Sequence, residues 1–183
     1  DIETKKLIGK KAANMIADDE MIYLDVSTTV NFIAQSLQSK PVTIVTNSID
    51  TAYVSAQTKD TTVHLLGGTL NKSSRHLSGY STIDKLKDYH FNKVFIGAAG
   101  VTENGLYYLF EEDIHFKREL IKHTDQVILL ADQSKYNQRQ KYKALTLESI
   151  DTFITNEAPS KDLYKAMKEC GVEVLISSEF KEE

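Results

Sequence analysis

A single cysteine, Cys170, excludes an internal disulfide and a thiolate-held metal cluster. The five histidines, His64, His76, His90, His115 and His123, never stand in HxH, HxxH or HExxH spacing, so neither a metal nor a cofactor is expected. The two prolines, Pro41 and Pro159, each precede an element, and no Pro-rich linker divides the chain. No apolar run approaches the ~20 residues of a membrane-spanning helix. The opening Asp1-Ile-Glu-Thr-Lys-Lys lacks the apolar centre of a signal peptide. A cytoplasmic protein without a membrane partner is therefore expected. Positive charge is also scarce: 22 Lys and Arg stand against 26 Asp and Glu, a formal charge of -4. Gripping a nucleic-acid backbone takes clustered Lys and Arg that release counterions. Any DNA contact is thus expected from another part of the protein.

What is present fits one globular domain over residues 1–183, with 41% hydrophobic and 26% charged residues. Seven short apolar runs, at 21–26, 42–46, 62–66, 93–98, 126–131, 152–155 and 173–176, are nearly continuous rather than alternating. Strands covered on both faces read this way, so they predict an open, mainly parallel sheet of about six to seven strands. Helical stretches lie between them. Ile8, Ala12, Met15 and Ile16 form an apolar stripe ahead of the first run; further helices are predicted over 29–37, 48–57, 82–87, 113–123 and 160–170. Ser160 suits the cap that opens the last helix and Gly171 the left-handed position that closes it. This alternation gives an α/β fold with helices on both faces of the sheet, wound by right-handed crossovers. Two connections, 67–80 and 133–149, are long for such a fold, and long loops in compact domains are usually functional or mobile.

In open α/β sheets ligands sit beyond the carboxyl ends of the strands. The first predicted strand ends Asp25-Val-Ser-Thr-Thr29 and passes at once into a helix, offering Ser27, Thr28 and Thr29 beside free N–H groups. Such a turn can bind an anion, or Ser27 or Thr28 can simply cap the helix. The second strand ends Thr46-Asn47 and the third Gly67-Gly68, where glycine lets a backbone approach closely. Three such exits on consecutive strands are expected to converge on one rim. The fourth ends Gly97-Ala-Ala-Gly100, with no acid, base or nucleophile at the place where an enzyme would need one. Asp113 and Lys117 stand four apart on the next helix: either a surface ion pair, or a carboxylate for a sugar hydroxyl and an ammonium for a phosphate. The fifth strand ends Asp132-Gln-Ser134-Lys135, a compact donor and acceptor set or a solvated loop. Tyr107-Tyr108-Leu109-Phe110 reads as core, pocket wall or dimer contact outside any strand, core or wall being favoured, and the basic, aromatic run 135–143 as a solvated loop or a partner surface.

Taken in order, Asp25…Thr28-Thr29, Thr46-Asn47, Gly67-Gly68, Ser78-Gly79, Gly97…Gly100, Asp113…Lys117 and Asp132-Gln133-Ser134-Lys135 resemble the effector domain of the DeoR-type bacterial transcription regulators. No single element is specific; the ordered set, which spans nearly the whole chain, is. The resemblance implies a fold shared with ribose-5-phosphate isomerase, glucosamine-6-phosphate deaminase and CoA transferases. It implies a repressor's ligand-sensing domain with a phosphorylated sugar or related metabolite as effector; the alternative is an active sugar-phosphate isomerase or deaminase of the similar fold, against which the acid-free Gly97–Gly100 exit argues. Operator DNA would be bound by a winged helix-turn-helix preceding this domain and absent from this chain, and the protein would assemble as a homodimer or homotetramer. The implied effector contacts are the residues already singled out, from Asp25 to Lys135. The chain departs from the family pattern at Ser27, where glycine is usual, at Asp113, where glutamate is usual with Glu112 adjacent, and at Gln133, where serine is usual.

Overall fold

A computed structural model describes residues 1–179. Its first half runs α1 (Ile2–Ala13), β1 (Met21–Leu24), α2 (Thr28–Ser36), β2 (Thr43–Thr46), α3 (Ile49–Ala56) and β3 (Thr62–Leu65). A short hairpin, β4 (Thr69–Asn71) and β5 (His76–Ser78), then leads into α4 (Tyr80–Lys85) and β6 (Phe91–Ile96). A second hairpin, β7 (Gly100–Thr102) and β8 (Gly105–Tyr108), precedes α5 (Glu111–Leu120) and β9 (Thr124–Leu130). The chain closes with β10 (Tyr142–Leu145), β11 (Thr152–Thr155), α6 (Lys161–Glu169) and β12 (Glu173–Ile176).

The seven apolar runs are the seven strands of one parallel sheet, ordered β12-β11-β9-β6-β1-β2-β3. Alternate residues of these strands feed two cores, as the pleat requires. Ile22, Leu24, Ile44, Phe95, Ile128 and Ile154 pack with Ile8, Val30 and Ile33 of α1 and α2 on one face. Tyr23, Val45, Val94, Ile96, Leu129 and Phe153 pack on the other with Phe116 of α5, Leu163 of α6 and the small sheet β10-β8-β7.

Several local expectations are corrected. The two long connections are not bare loops: 67–80 holds the β4–β5 hairpin, and 133–149 holds β10 with a 3₁₀ turn on either side of it. Tyr107 and Tyr108 lie in β8, paired antiparallel with β7 and β10. The first helix stops at Ala13, and Met15 and Ile16 reach the core from the turn after it. Ser160 stands at the cap of α6 without a capping bond, whereas Gly171 has the left-handed φ of 79° expected of it. Among the described residues no helix is long and apolar enough to cross a membrane.

The strand order fixes where a ligand can sit. From β1 the chain winds outward through β2 to β3, then returns to β6 on the other side of β1 and winds outward through β9, β11 and β12. The reversal lies between β1 and β6. There the helices of consecutive crossovers diverge and leave a crevice beyond the carboxyl ends.

Candidate functional site

Asp25, the first residue after β1, is pinned over this crevice. Its N–H donates to Phe95 O (3.1 Å), extending the β1–β6 ladder by one bond. Its Oδ2 accepts from the Gly97 N–H (3.2 Å) and its Oδ1 from Lys117 Nζ (2.8 Å). Both ionic side chains are out of solvent, at 2% exposure for Asp25 and 4% for Lys117. Lys117 therefore makes no surface pair with Asp113; it points inward, its ammonium 5.0 Å from the Tyr108 ring centre and 5.3 Å from that of Phe116. Tyr108 donates its hydroxyl proton to Gly97 O (2.6 Å), and Tyr23 donates to Asn47 Oδ1 (2.6 Å). Burial and the Asp25 carboxylate push both phenols well above the ordinary tyrosine range, so both remain neutral donors.

Above this floor opens a cavity of about 400 Å³. One wall is the start of α2. Ser27 is its cap, with Oγ accepting from the Val30 N–H at 3.4 Å. The N–H groups of a helix's first turn have no acceptor within the helix; among the described residues those of Thr28 and Thr29 take none elsewhere. The Thr29 hydroxyl, on a residue only 5% exposed that lines the cavity, likewise has no hydrogen-bond partner among them. The helix dipole adds positive potential at this point. Lys5 of α1 donates to Thr28 Oγ1 (3.1 Å), and Lys135 lines the same cavity from the turn after β9. Both Lys5 and Lys135 help to hold the Asp132 carboxyl down.

The opposite wall carries acids. Asp113, in the first turn of α5, is half-buried. Burial raises its carboxyl above the ordinary aspartate range; Lys117 opposes the rise, Asp25 adds to it, and His76 opposes it weakly. Glu112 accepts the Gly79 N–H (2.6 Å) and so ties α5 to the end of the β4–β5 hairpin. The same strand, β5, is tied to the residue that follows β2: the Leu77 N–H donates to Asn47 O (2.9 Å) and Asn47 Nδ2 to Leu77 O (3.0 Å). Asn71, Ser74, His76 and Ser78 thereby join the lining.

Of the fifteen positions singled out from sequence, nine line this cavity: Asp25, Ser27, Thr28, Thr29, Asn47, Gly97, Asp113, Lys117 and Lys135. Six do not. The Thr46 hydroxyl is used within the sheet, donating to Leu24 O (2.7 Å) and accepting from the Ser48 N–H (3.1 Å). Gly67 and Gly68 open the hairpin rather than the cavity, with Gly67 O accepting from Thr82 Oγ1 (2.6 Å). Gly100 lies in β7, where a Cβ would stand 1.6 Å from Gln138 O. Asp132 Oδ1 accepts from both the N–H and the hydroxyl of Ser134, which closes a local turn outside the cavity lining. Burial pushes the Asp132 carboxyl up, but the bonds from Ser134 outweigh it and hold it below its ordinary range. Sequence reasoning missed Lys5 and, in the hairpin, Asn71, Ser74 and His76; Ser78 entered only through the family pattern. A lysine on an amphipathic helix carries no local signal, and the hairpin's three-residue strands carry no period. The expectation that no titratable group stands at the β6 exit holds for the strand itself, but the fold brings Asp25 and Asp113 to the same cavity from β1 and α5.

The comparisons with known proteins identify the family. Residues 1–157 match the DeoR C terminal sensor domain, and the chain belongs to that family. It is 39% identical over 177 residues to the HTH-type transcriptional repressor GlcR of Bacillus subtilis (strain 168), covering 97% of this chain and 69% of the repressor. It is 31% identical over 180 residues to the HTH-type transcriptional regulator GolR of Listeria innocua, covering 96% and 70%. Among solved structures, ribose 5 phosphate isomerase A from Neisseria gonorrhoeae superposes with a TM-score of 0.50 at 17% identity, over 75% of this chain and 55% of the isomerase. The fold is thus of the isomerase type, while the relatives by sequence are transcription regulators, whose sensor domain this chain carries.

Proposed function

We propose that the cavity between β1 and β6 binds a phosphorylated sugar or a related phosphorylated metabolite, and that occupancy changes the operator affinity of a repressor to which this domain belongs. The observation that carries the reading is the opening of α2 into the cavity. The N–H groups of Thr28 and Thr29 and the Thr29 hydroxyl stand at this helix start, on residues that line the cavity, with Lys5 bonded to Thr28 Oγ1 and Lys135 in the same lining. That arrangement suits a phosphate. Asn47, Asp113 and His76 at the other wall suit the hydroxyls of a sugar. DNA would be contacted by the winged helix-turn-helix ahead of this domain, in a homodimer or homotetramer. A coupling of ~1–3 kcal/mol between the two sites would change operator affinity roughly 5–150-fold.

Thermal shift against ribose 5-phosphate, fructose 6-phosphate, glucose 6-phosphate, glucosamine 6-phosphate and their unphosphorylated sugars tests the reading. A ligand at 100 times its Kd stabilises by about 2.7 kcal/mol, which raises the Tm of a domain this size by roughly 5–10 °C. The gain should be confined to phosphorylated ligands and be weakened by Thr28→Ala and Thr29→Val. No gain with any of them, or an equal gain with glucose, would overturn it. One observation favours a second reading, an active isomerase: the half-buried, upward-shifted Asp113 in the cavity could serve as a base. Turnover of any of these sugar phosphates that disappears in Asp113→Asn would establish that alternative.

A further inference from the structure

The cavity's three lysines are not equivalent. Lys117 is consumed by Asp25 at 2.8 Å, and an incoming anion would have to compete with a buried carboxylate for it. Lys5 and Lys135 enter no ion pair among the described residues. The only side-chain bond of Lys5 is the one its ammonium donates to the neutral Thr28 hydroxyl. Among the described residues Lys5 is also the one lining residue supplied by α1; the others come from the start of α2, the strand ends and the turns after them, the two hairpins and α5.

The way α1 is anchored gives this contact a consequence. From Ile8 onward the helix is held by buried side chains, and at Gly9 it approaches α2 so closely that a Cβ would lie 2.6 Å from Phe32 Cβ. Ahead of Ile8 no side chain is buried, and Ile2 and Leu7 are exposed. The first turns are capped by Asp1, and among the described residues the bond from Lys5 to Thr28 is a side-chain hydrogen bond that joins them to another element. Short helical segments without packing are marginal in water. A bond from an ammonium to an anion is roughly twice as strong as one between neutral groups.

Building on the sensor reading above, we infer that Lys5 is a phosphate-contacting residue of the effector site, and that this contact orders the first turns of α1, so that the helix reports occupancy of the cavity. In the relatives the sensor domain is C-terminal, and α1 is the element of it nearest to what precedes. Phosphate recognition at Lys5 thus gives a direct route from ligand to that side of the molecule.

The test uses whichever of the four sugar phosphates gives the largest thermal shift, with calorimetry on wild type, Lys5→Met and Lys5→Arg. It adds hydrogen exchange of the amides of residues 4–8 with and without ligand. Lys5→Met should bind roughly 10–100-fold more weakly, the range for losing a hydrogen bond to a charged group, and Lys5→Arg should recover most of the loss. The unliganded Tm of Lys5→Met should stay within ~2 °C of wild type, which separates lost recognition from lost folding. Ligand should slow exchange at residues 4–8 in wild type and not in Lys5→Met. Equal affinity of wild type and Lys5→Met would overturn the inference and leave the sensor reading standing. Weaker binding with unchanged exchange in wild-type α1 would overturn the link to the helix. Failure of wild type to bind any of the four sugar phosphates would overturn the sensor reading and this inference with it.

Discussion

Lys117→Met is the perturbation whose outcome the site geometry determines most sharply. Methionine keeps the length and much of the packing of lysine but removes the ammonium, leaving Asp25 buried with only neutral donors, the Gly97 N–H at 3.2 Å and the Tyr23 hydroxyl at 3.5 Å. Removing one partner of a buried pair costs about 3–5 kcal/mol, because the other charge stays out of water without compensation. For a domain of this size each kcal/mol lowers the Tm by roughly 2–4 °C, so the expected fall is roughly 6–20 °C. Asp25→Asn should be costly for the same reason, since it strands the ammonium against the Tyr108 and Phe116 rings. The double variant removes both charges together, and its loss should fall short of the sum of the single losses by about 2 kcal/mol or more. Urea denaturation of the four proteins without ligand, at neutral pH, closes the cycle. Additivity within ~0.5 kcal/mol, or a loss below ~1 kcal/mol for Lys117→Met, would refute the picture of a coupled buried pair and make it equivalent to a screened surface contact. The experiment also bears on how Lys117 functions, because a variant that partly unfolds will lose ligand whether or not Lys117 touches it.

Gly97→Ala places a Cβ 2.8 Å from Ser27 Cβ and Oγ, and should cost ~1–3 kcal/mol by urea titration as overpacking. Ser27→Gly should cost only a few tenths by itself and should recover most of the Gly97→Ala loss; additive losses in the double variant would show that the clash lies elsewhere. Asp113→Asn should alter the pH dependence of stability. Because burial raises the folded-state carboxyl above its unfolded value of about 3.9, the folded chain binds that proton more tightly, and wild type loses stability as pH rises through this window. The variant should therefore have the higher urea midpoint at pH 7, with the difference closing as pH falls towards 4. A difference that widens on acidification would reverse the sign and refute the assignment.

How far the sequence revealed the fold depended on burial. The strands of the central sheet were legible because stretches such as Val94-Phe95-Ile96 and Leu129-Leu130 are covered on both faces and read as unbroken apolar runs. The hairpins were not, because Thr69–Asn71 and His76–Ser78 are three residues long and half-exposed, and such strands have neither a period nor an apolar run. The same difference explains the site. Asp25, Ser27 and Asn47 follow strands next to the reversal point, so their position in sequence predicted their position in space. Gly67 and Gly68 follow β3, an exposed edge strand two places from β1, and the chain there turns into the hairpin that supplies Ser74 and His76 instead. Asp132 and Ser134 had the right residue types, but they bond to each other; a donor and an acceptor two residues apart can close on themselves as readily as on a ligand.

Ser27 shows what the departure from the family's glycine changes. Its backbone is extended, at φ -156° and ψ 138°, a conformation that any residue adopts, so glycine is not required there for the turn to form. What serine adds is an oxygen that takes the Val30 N–H and a Cβ that faces Gly97. The first effect removes one helix donor from competition and leaves the two that belong to Thr28 and Thr29. The second makes Gly97 obligatory, because the β6 exit must pass close to a side chain rather than to a bare backbone. A cap at this loop therefore does not exclude the proposed anion site: the cap uses the Val30 N–H and leaves those of Thr28 and Thr29. With Lys117 held by Asp25, the positive potential that remains comes from that helix end together with Lys5 and Lys135, while Asp113 and Glu112 stand across the cavity. A cavity polarised in this way favours a ligand with its negative charge at one end and hydrogen-bonding groups at the other, and it disfavours a dianion charged at both ends, whose second charge would meet the acids of α5.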